Sequence, residues 1–268
     1  MQKKKPSNPN SRKPVRGKSD PVDPKKRTTP APDRRPSGVK KLDSANPGDK
    51  KTYNSPKKEF VPKPKKPIPD VNYYFLIWKP FGMLSQFTRE DNGPEIMTLA
   101  EIPGLPKDVY PLGRLDKDSE GLLILTNNAS LNSRYLNPDN HINKTYWVQV
   151  EGQITEDAAV HLEKGGLLIE NYWTKPCKVK ILTEEQTQII PERDPPVRFR
   201  KSIPTSWVEI ILQEGKNRQI RKMTAQIGFP TLRLIRLGFG GVKVGFDFIN
   251  KQKEEMMERD ILKLLNEV

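Results

Sequence analysis

Gly113-Arg-Leu-Asp-Lys-Asp-Ser-Glu-Gly121 runs directly into Leu122-Leu-Ile-Leu-Thr126, so the densest polar cluster of the chain abuts an apolar run. The apolar run is short and rich in branched residues, and it reads as a strand. Val109–Leu115 on the other side is a second extended segment. The polar residues between them then form a loop displayed at the end of a sheet, where a rigid scaffold can hold functional groups. Taken alone the loop keeps a plainer alternative, because Asp118, Ser119 and Gly121 are ordinary turn residues. A magnesium site built from Asp116, Asp118 and Glu120 has less behind it, since no phosphate-binding loop accompanies the carboxylates.

Outward from this point the periodicities predict an α+β fold. Tyr73-Tyr-Phe-Leu-Ile-Trp78 is a β-type run closed by Lys79-Pro80-Phe81-Gly82. Ser130–Leu136 reads as a short helix, and Lys144-Thr-Tyr-Trp-Val-Gln-Val150 alternates as a half-buried strand does. Thr155 before Glu156 and Asp157 predicts a helix to about Lys164, stopped by Gly165-Gly166. Strands are expected at Cys177–Leu182, Trp207–Leu212, Thr231–Leu237 and Val242–Val244. Helices are expected at Asn217–Ile227, closed by Gly228 and Pro230, and at Glu254–Leu265. Strands outnumber helices without alternating strictly with them, which favours a mainly antiparallel mixed sheet flanked by helices.

Two further places could carry chemistry. On the helix near 217–227, Ile220, Met223 and Ile227 form the apolar stripe, and Arg218 and Lys222 fall on the far, solvated side. Arg221 projects at the edge of the stripe, where a guanidinium can reach toward a carboxylate, although a basic face is commonly just solvated. On the strand at 144–150, Lys144, Tyr146 and Val148 share one face, with core packing as the default role of the tyrosine. Cys177 is assigned to packing.

Composition narrows the chemistry. A single cysteine, Cys177, excludes an intramolecular disulfide and a Cys-rich zinc site. With two histidines, His141 and His161, a His-based triad or His-rich metal centre is disfavoured, so carboxylate, Tyr, Lys or Arg must do any catalysis. Met-Gln-Lys-Lys-Lys-Pro at the amino terminus is no secretory signal, and no run spans a bilayer. A cytoplasmic protein is therefore expected. Residues 1–70 hold 21 Lys/Arg against 7 Asp/Glu, whereas 71–268 hold 26 of each. The first 70 residues also hold 14 of the 26 prolines and few branched apolar residues, and so are expected to be a disordered Lys/Pro-rich tail. Such a tail favours a polyanionic partner.

The three segments, in this order, resemble the RsuA family of bacterial ribosomal-RNA pseudouridine synthases across nearly all of 73–245. The family's G-R-L-D and S/T-x-G-L-L-I-L-T-N motif stands as Gly113-Arg-Leu-Asp116 and Ser119-Glu-Gly-Leu-Leu-Ile-Leu-Thr-Asn-Asn128, with Ala129 where glycine is frequent. Lys144-Thr-Tyr-Trp-Val148 matches K-x-Y-x-V, and Glu214-Gly-Lys-Asn-Arg-Gln-Ile-Arg-Lys-Met223 followed by Leu232-Arg-Leu-Ile-Arg236 matches the helix motif. Asp194–Trp207 looks most like large-subunit members. Residues 1–70 do not resemble the small alpha-L RNA-binding domain that many members carry.

The resemblance implies a pseudouridine synthase catalytic domain over 71–268 that isomerises a uridine of 23S ribosomal RNA. The uridine would be flipped from its stack, with Asp116 as nucleophile at the sugar or at carbon six of the ring. Tyr146 would stack on the uracil, and Arg221 would pair with Asp116. Arg114, Lys144, Arg218, Gln219 and Lys222 would contact RNA. No metal or cofactor is implied, and a monomer acting in ribosome biogenesis is expected. A small-subunit or different uridine, or a non-catalytic RNA-binding or assembly factor, stands as the alternative.

Overall fold

The computed structural model describes residues 71–89, 96–198, 200 and 202–266. The expected tail at 1–70 lies outside them.

The longest apolar runs form the strands that are buried on both faces. β1 (Tyr74–Lys79) and, after the two-residue β2 (Tyr110–Pro111), β3 (Glu120–Thr126) are buried at every position. Tyr74, Leu76, Trp78, Leu122 and Ile124 enter one core, while Phe75, Ile77, Leu123 and Leu125 enter another on the opposite face. Burial on both faces is why these strands lack alternation in sequence.

α1 (Ala129–Leu136) follows, started by the Asn128 side chain accepting the Ser130 N–H. β4 (Lys144–Glu151) leads to α2 (Glu156–Lys164), which is capped by Thr155 and ended by Gly165 at φ 66°. A small hairpin, β5 (Leu168–Ile169) and β6 (Tyr172–Trp173), precedes β7 (Lys178–Ile181), α3 (Glu184–Thr187) and β8 (Thr205–Leu212). α4 (Gln219–Gln226), β9 (Thr231–Phe239), β10 (Val242–Lys243), α5 (Phe248–Lys251), β11 (Lys253–Glu255) and α6 (Glu258–Leu265) complete the chain.

The main sheet runs β11-β1-β3-β9-β4-β8-β7, with β10 on β9 and β2 on β3. β3 and β9 are its parallel pair; the other pairings are antiparallel. This is the expected α+β architecture, with one correction near the carboxyl end. The helix predicted over Glu254–Leu265 begins only at Glu258, because Lys253–Glu255 pairs with β1 as an edge strand. The parallel β3–β9 junction sets the polar loop 113–119 beside the loop that leads into α4.

Candidate active site

Each backbone carbonyl from Leu115 to Ser119 has its own donor. Ser85 Oγ donates to Leu115 O at 2.7 Å and accepts the Leu115 N–H at 3.1 Å. Ser119 N–H closes a turn onto Asp116 O at 3.0 Å, and Gly82 N–H reaches Lys117 O at 2.8 Å. Arg221 Nη2 donates to Asp118 O at 2.6 Å, and Lys79 Nζ to Ser119 O at 2.6 Å and Pro80 O at 2.9 Å. Lys79 is fully buried beneath the loop. Burial pushes its ammonium down to about 8, against the pull of the Glu120, Asp118 and Asp116 carboxylates. With the carbonyls from Leu115 to Ser119 all tied, the backbone that carries Asp116 is set before substrate arrives.

The Asp116 side chain is 35% exposed at the wall of a cleft of about 540 Å³. Arg114, Tyr146, Arg218 and Gln219 line the same cleft. The β4–β9 register shifts between Thr145 and Tyr146 because β9 carries one extra residue, Leu237, which sets Tyr146 opposite Arg236.

Arg218 is nearer the carboxylates than its expected place on the solvated face. It takes a left-handed conformation, φ 50° and ψ 33°, immediately before α4. Its fork grips Asp118 at 2.9 and 2.7 Å, and Nη1 lies 3.6 Å from Asp116 Oδ2. The expected pairing of Arg221 with Asp116 is corrected. Arg221 is not among the cleft-lining residues; it sits behind the loop, with Nε 3.5 Å from Asp118 Oδ2 and Nη2 on the Asp118 carbonyl. The reason is geometric, since Arg218 already occupies the approach to Asp116. Burial would raise the Asp118 carboxyl, but the Arg218 hydrogen bonds and the Arg221 charge hold it below its ordinary value.

The other predicted RNA contacts divide. Arg114 is exposed and lines both the cleft and an adjoining hollow of about 330 Å³, and Lys144 lines that hollow only. Gln219 lines the cleft but is buried, with its amide donating to Glu214 and accepting from Lys216 N–H, so it also orders the loop before α4. Lys222 is corrected, because it turns to Glu170 at 2.6 Å and Asn217 O at 2.6 Å instead of lining the cleft.

Several contributors have roles that the sequence reading did not assign, Glu120 having been weighed only as a magnesium ligand. Glu120 is buried against Arg233 in a two-bond pair at 2.8 Å each, bracing the loop's end on β9. Glu214 accepts from the Tyr172 hydroxyl, Lys175 N–H and Gln219. Lys79 sat in plain view at the end of a strand, but nothing local signals that a lysine will be buried. Among the described residues no group of three or more His, Cys, Asp or Glu is placed to hold a metal ion, and no helix is long and apolar enough to cross a membrane. Cys177 packs as expected, with burial raising its thiol to about 11.

Comparison with known proteins agrees with this geometry. The sequence pattern described as RNA pseudouridylate synthase matches residues 73–226. Ribosomal large subunit pseudouridine synthase E of Xanthomonas axonopodis pv. citri is 48% identical over 167 residues, 62% of this chain and 84% of that protein. The protein of the same name from Vibrio vulnificus is 43% identical over 201 residues, 73% of this chain and 82% of its own. A crystal structure of a pseudouridylate synthase superposes with a TM-score of 0.58 at 25% identity, covering 72% of this chain and 74% of that one. With its fold, its anchored aspartate loop and the family pattern coinciding on the same residues, the chain belongs to the RNA pseudouridylate synthase family.

Proposed function

We propose that this protein isomerises a specific uridine of large-subunit (23S) ribosomal RNA to pseudouridine, with residues 71–268 as the catalytic domain and Asp116 as nucleophile. The observation that carries the reading is Asp116 itself, a partly exposed carboxylate on a loop immobilised at every carbonyl and facing a cleft of about 540 Å³. The large-subunit target is supported by the two relatives named above. Membership in an RNA-modifying family supports action in the cytoplasm during ribosome biogenesis.

The steps follow from the placed residues. The uridine leaves its stack and enters the cleft, at a cost of a few kcal/mol. Tyr146 offers a ring for the extruded base to stack on. Asp116 attacks the sugar or carbon six of the base, the glycosidic bond breaks, the base turns, carbon five bonds to the ribose, and the bond to Asp116 breaks to return the free carboxylate. Loss of the proton at the new bond completes the isomer, with Tyr146 as the candidate acceptor. Arg218 supplies positive charge at 3.6 Å from Asp116. Arg221 positions the loop through the Asp118 carbonyl instead of touching the reacting carboxylate. Arg114, exposed at the cleft, is placed to meet a phosphate.

The test is Asp116→Asn on unmodified 23S transcripts, read by pseudouridine mapping. Product should fall below detection while thermal stability and RNA affinity stay near wild type. Near-normal turnover by folded Asp116→Asn would sink the assignment. Product in small-subunit RNA alone would move the target.

A further inference from the structure

We infer that the hollow between Lys144 and Arg236 is a phosphate subsite, which takes a backbone phosphodiester of the RNA strand next to the flipped uridine; the inference rests on the synthase reading above. The hollow, about 330 Å³, shares Arg114, Tyr146 and Glu214 with the catalytic cleft, so the two form neighbouring compartments along one RNA path.

Its charge is unbalanced. Arg114, Lys144, Lys175, Lys216 and Arg236 line it against the single carboxylate of Glu214. That carboxylate is already engaged by the Tyr172 hydroxyl, Lys175 N–H and Gln219. Arg236 is 3% exposed, and only its Nε has a protein partner among the described residues, Leu122 O at 2.8 Å. Arg236 itself lines the hollow. Lys144 Nζ donates to the Ile142 and Gln213 carbonyls at 3.1 and 3.0 Å, both neutral acceptors. The two cations stand over one ring, Lys144 Nζ 5.6 Å and Arg236 Cζ 5.5 Å from the Phe239 centroid. Burial, followed by the Arg236 charge, lowers the Lys144 ammonium to about 8.

Two partly desolvated cations over one ring, neither in an ion pair among the described residues, are costly to maintain unless an anion joins them. A guanidinium edge with an ammonium beside it matches the tetrahedral oxygens of a phosphate. The location says which phosphate. Lys144 and Tyr146 lie two residues apart on the same face of β4, about 7 Å along the strand. A nucleotide whose base stacks on Tyr146 therefore leads its backbone past Lys144.

The experiment compares wild type, Lys144→Gln and Arg236→Gln for binding to an unmodified 23S transcript between about 50 and 200 mM salt. Thermal melting runs alongside, and wild-type pseudouridine formation is the control for the synthase reading. Loss of one phosphate contact should weaken binding about 5–10-fold at low salt and make the slope of log affinity against log salt shallower by about 0.7–0.9. A merely structural lysine would lower the melting temperature without changing that slope. If Arg236→Gln does not fold, Lys144→Gln alone decides. Folded Lys144→Gln with unchanged affinity and slope overturns the subsite, and if wild type still makes pseudouridine the proposed function survives. Wild type that binds the transcript but makes no pseudouridine overturns the synthase reading on which the subsite rests.

Discussion

Arg218 and Arg221 show what a helical wheel can and cannot read. The wheel put Arg221 at the edge of the buried stripe, and it does reach back to the loop, onto the Asp118 carbonyl. It put Arg218 on the solvated face because the helix was taken to start at Asn217. The helix starts at Gln219, and Arg218 is a left-handed residue outside it, so the wheel's angle does not apply. A left-handed arginine has no local sequence signature, since its conformation is held by the carboxylates it grips 100 residues away. Buried lysines are equally silent in sequence yet leave a signature in pH. Lys79 and Lys144 titrate near 8 in the folded protein, from an ordinary value of 10.5. Between those values the unfolded chain holds more protons than the folded one, so stability rises with pH. The Cys177 thiol, raised to about 11 by burial, works the other way above 9, and the Tyr74 and Tyr172 hydroxyls, raised to about 12 by burial and by the Glu214 hydrogen bond respectively, join it above 10. The urea midpoint should therefore climb from about pH 8 to 9.5 and turn down beyond about 10. A flat or falling midpoint across the first interval would mean that both lysines keep their ordinary values.

Strands were easier to read than their partners. The apolar runs at β1 and β3 and the alternation at β4 and β8 follow from burial on two faces or one, which local pattern records. β11 is different: Lys253-Glu-Glu255 is charged and has no apolar period, and it is a strand because the edge of β1 offers free backbone groups. That information lies on Phe75–Ile77, far upstream in the chain, and the charged segment itself reads as the start of the helix that follows. The β3–β9 junction depends on one residue. Gly121 takes φ 103°, and a Cβ there would stand 2.2 Å from the Arg236 carbonyl oxygen on β9. Gly121→Ala should thus cost about 3 kcal/mol through the strained conformation and the forced separation of the strands. Urea unfolding measures it, and because loop 113–119 and Arg236 hang on this junction, pseudouridine formation should fall even where the variant is still folded. Wild-type stability for Gly121→Ala would show that β3 and β9 can part without penalty.

Charge is partitioned over the whole chain in a way that separates attraction from choice. Residues 1–70 carry 21 Lys/Arg against 7 Asp/Glu, while 71–268 carry 26 of each. The family pattern begins at residue 73, and the cleft, the anchored loop and the core clusters all lie beyond residue 70. We therefore expect folding and chemistry to be carried by residues 71–268. What the basic segment can supply is long-range attraction, because cations near RNA displace condensed counterions wherever phosphates are presented, whatever the base sequence. The remainder is formally neutral, and only some of its positive residues, among them Arg114, Lys144, Lys216 and Arg218, line the cleft and the adjoining hollow. We expect a protein beginning at Asp70 to fold with an unchanged melting temperature and to modify the same uridine. Its RNA affinity should be lower at low salt, and its slope of log affinity against log salt shallower by several units if several tail cations contact phosphates at once. The two proteins should converge in affinity as salt rises, since the tail's contribution is the part that screening removes. An unchanged slope after truncation would make residues 1–70 a bystander in binding. A different modified uridine would make them part of target choice, and would place specificity where the charge pattern says only attraction resides.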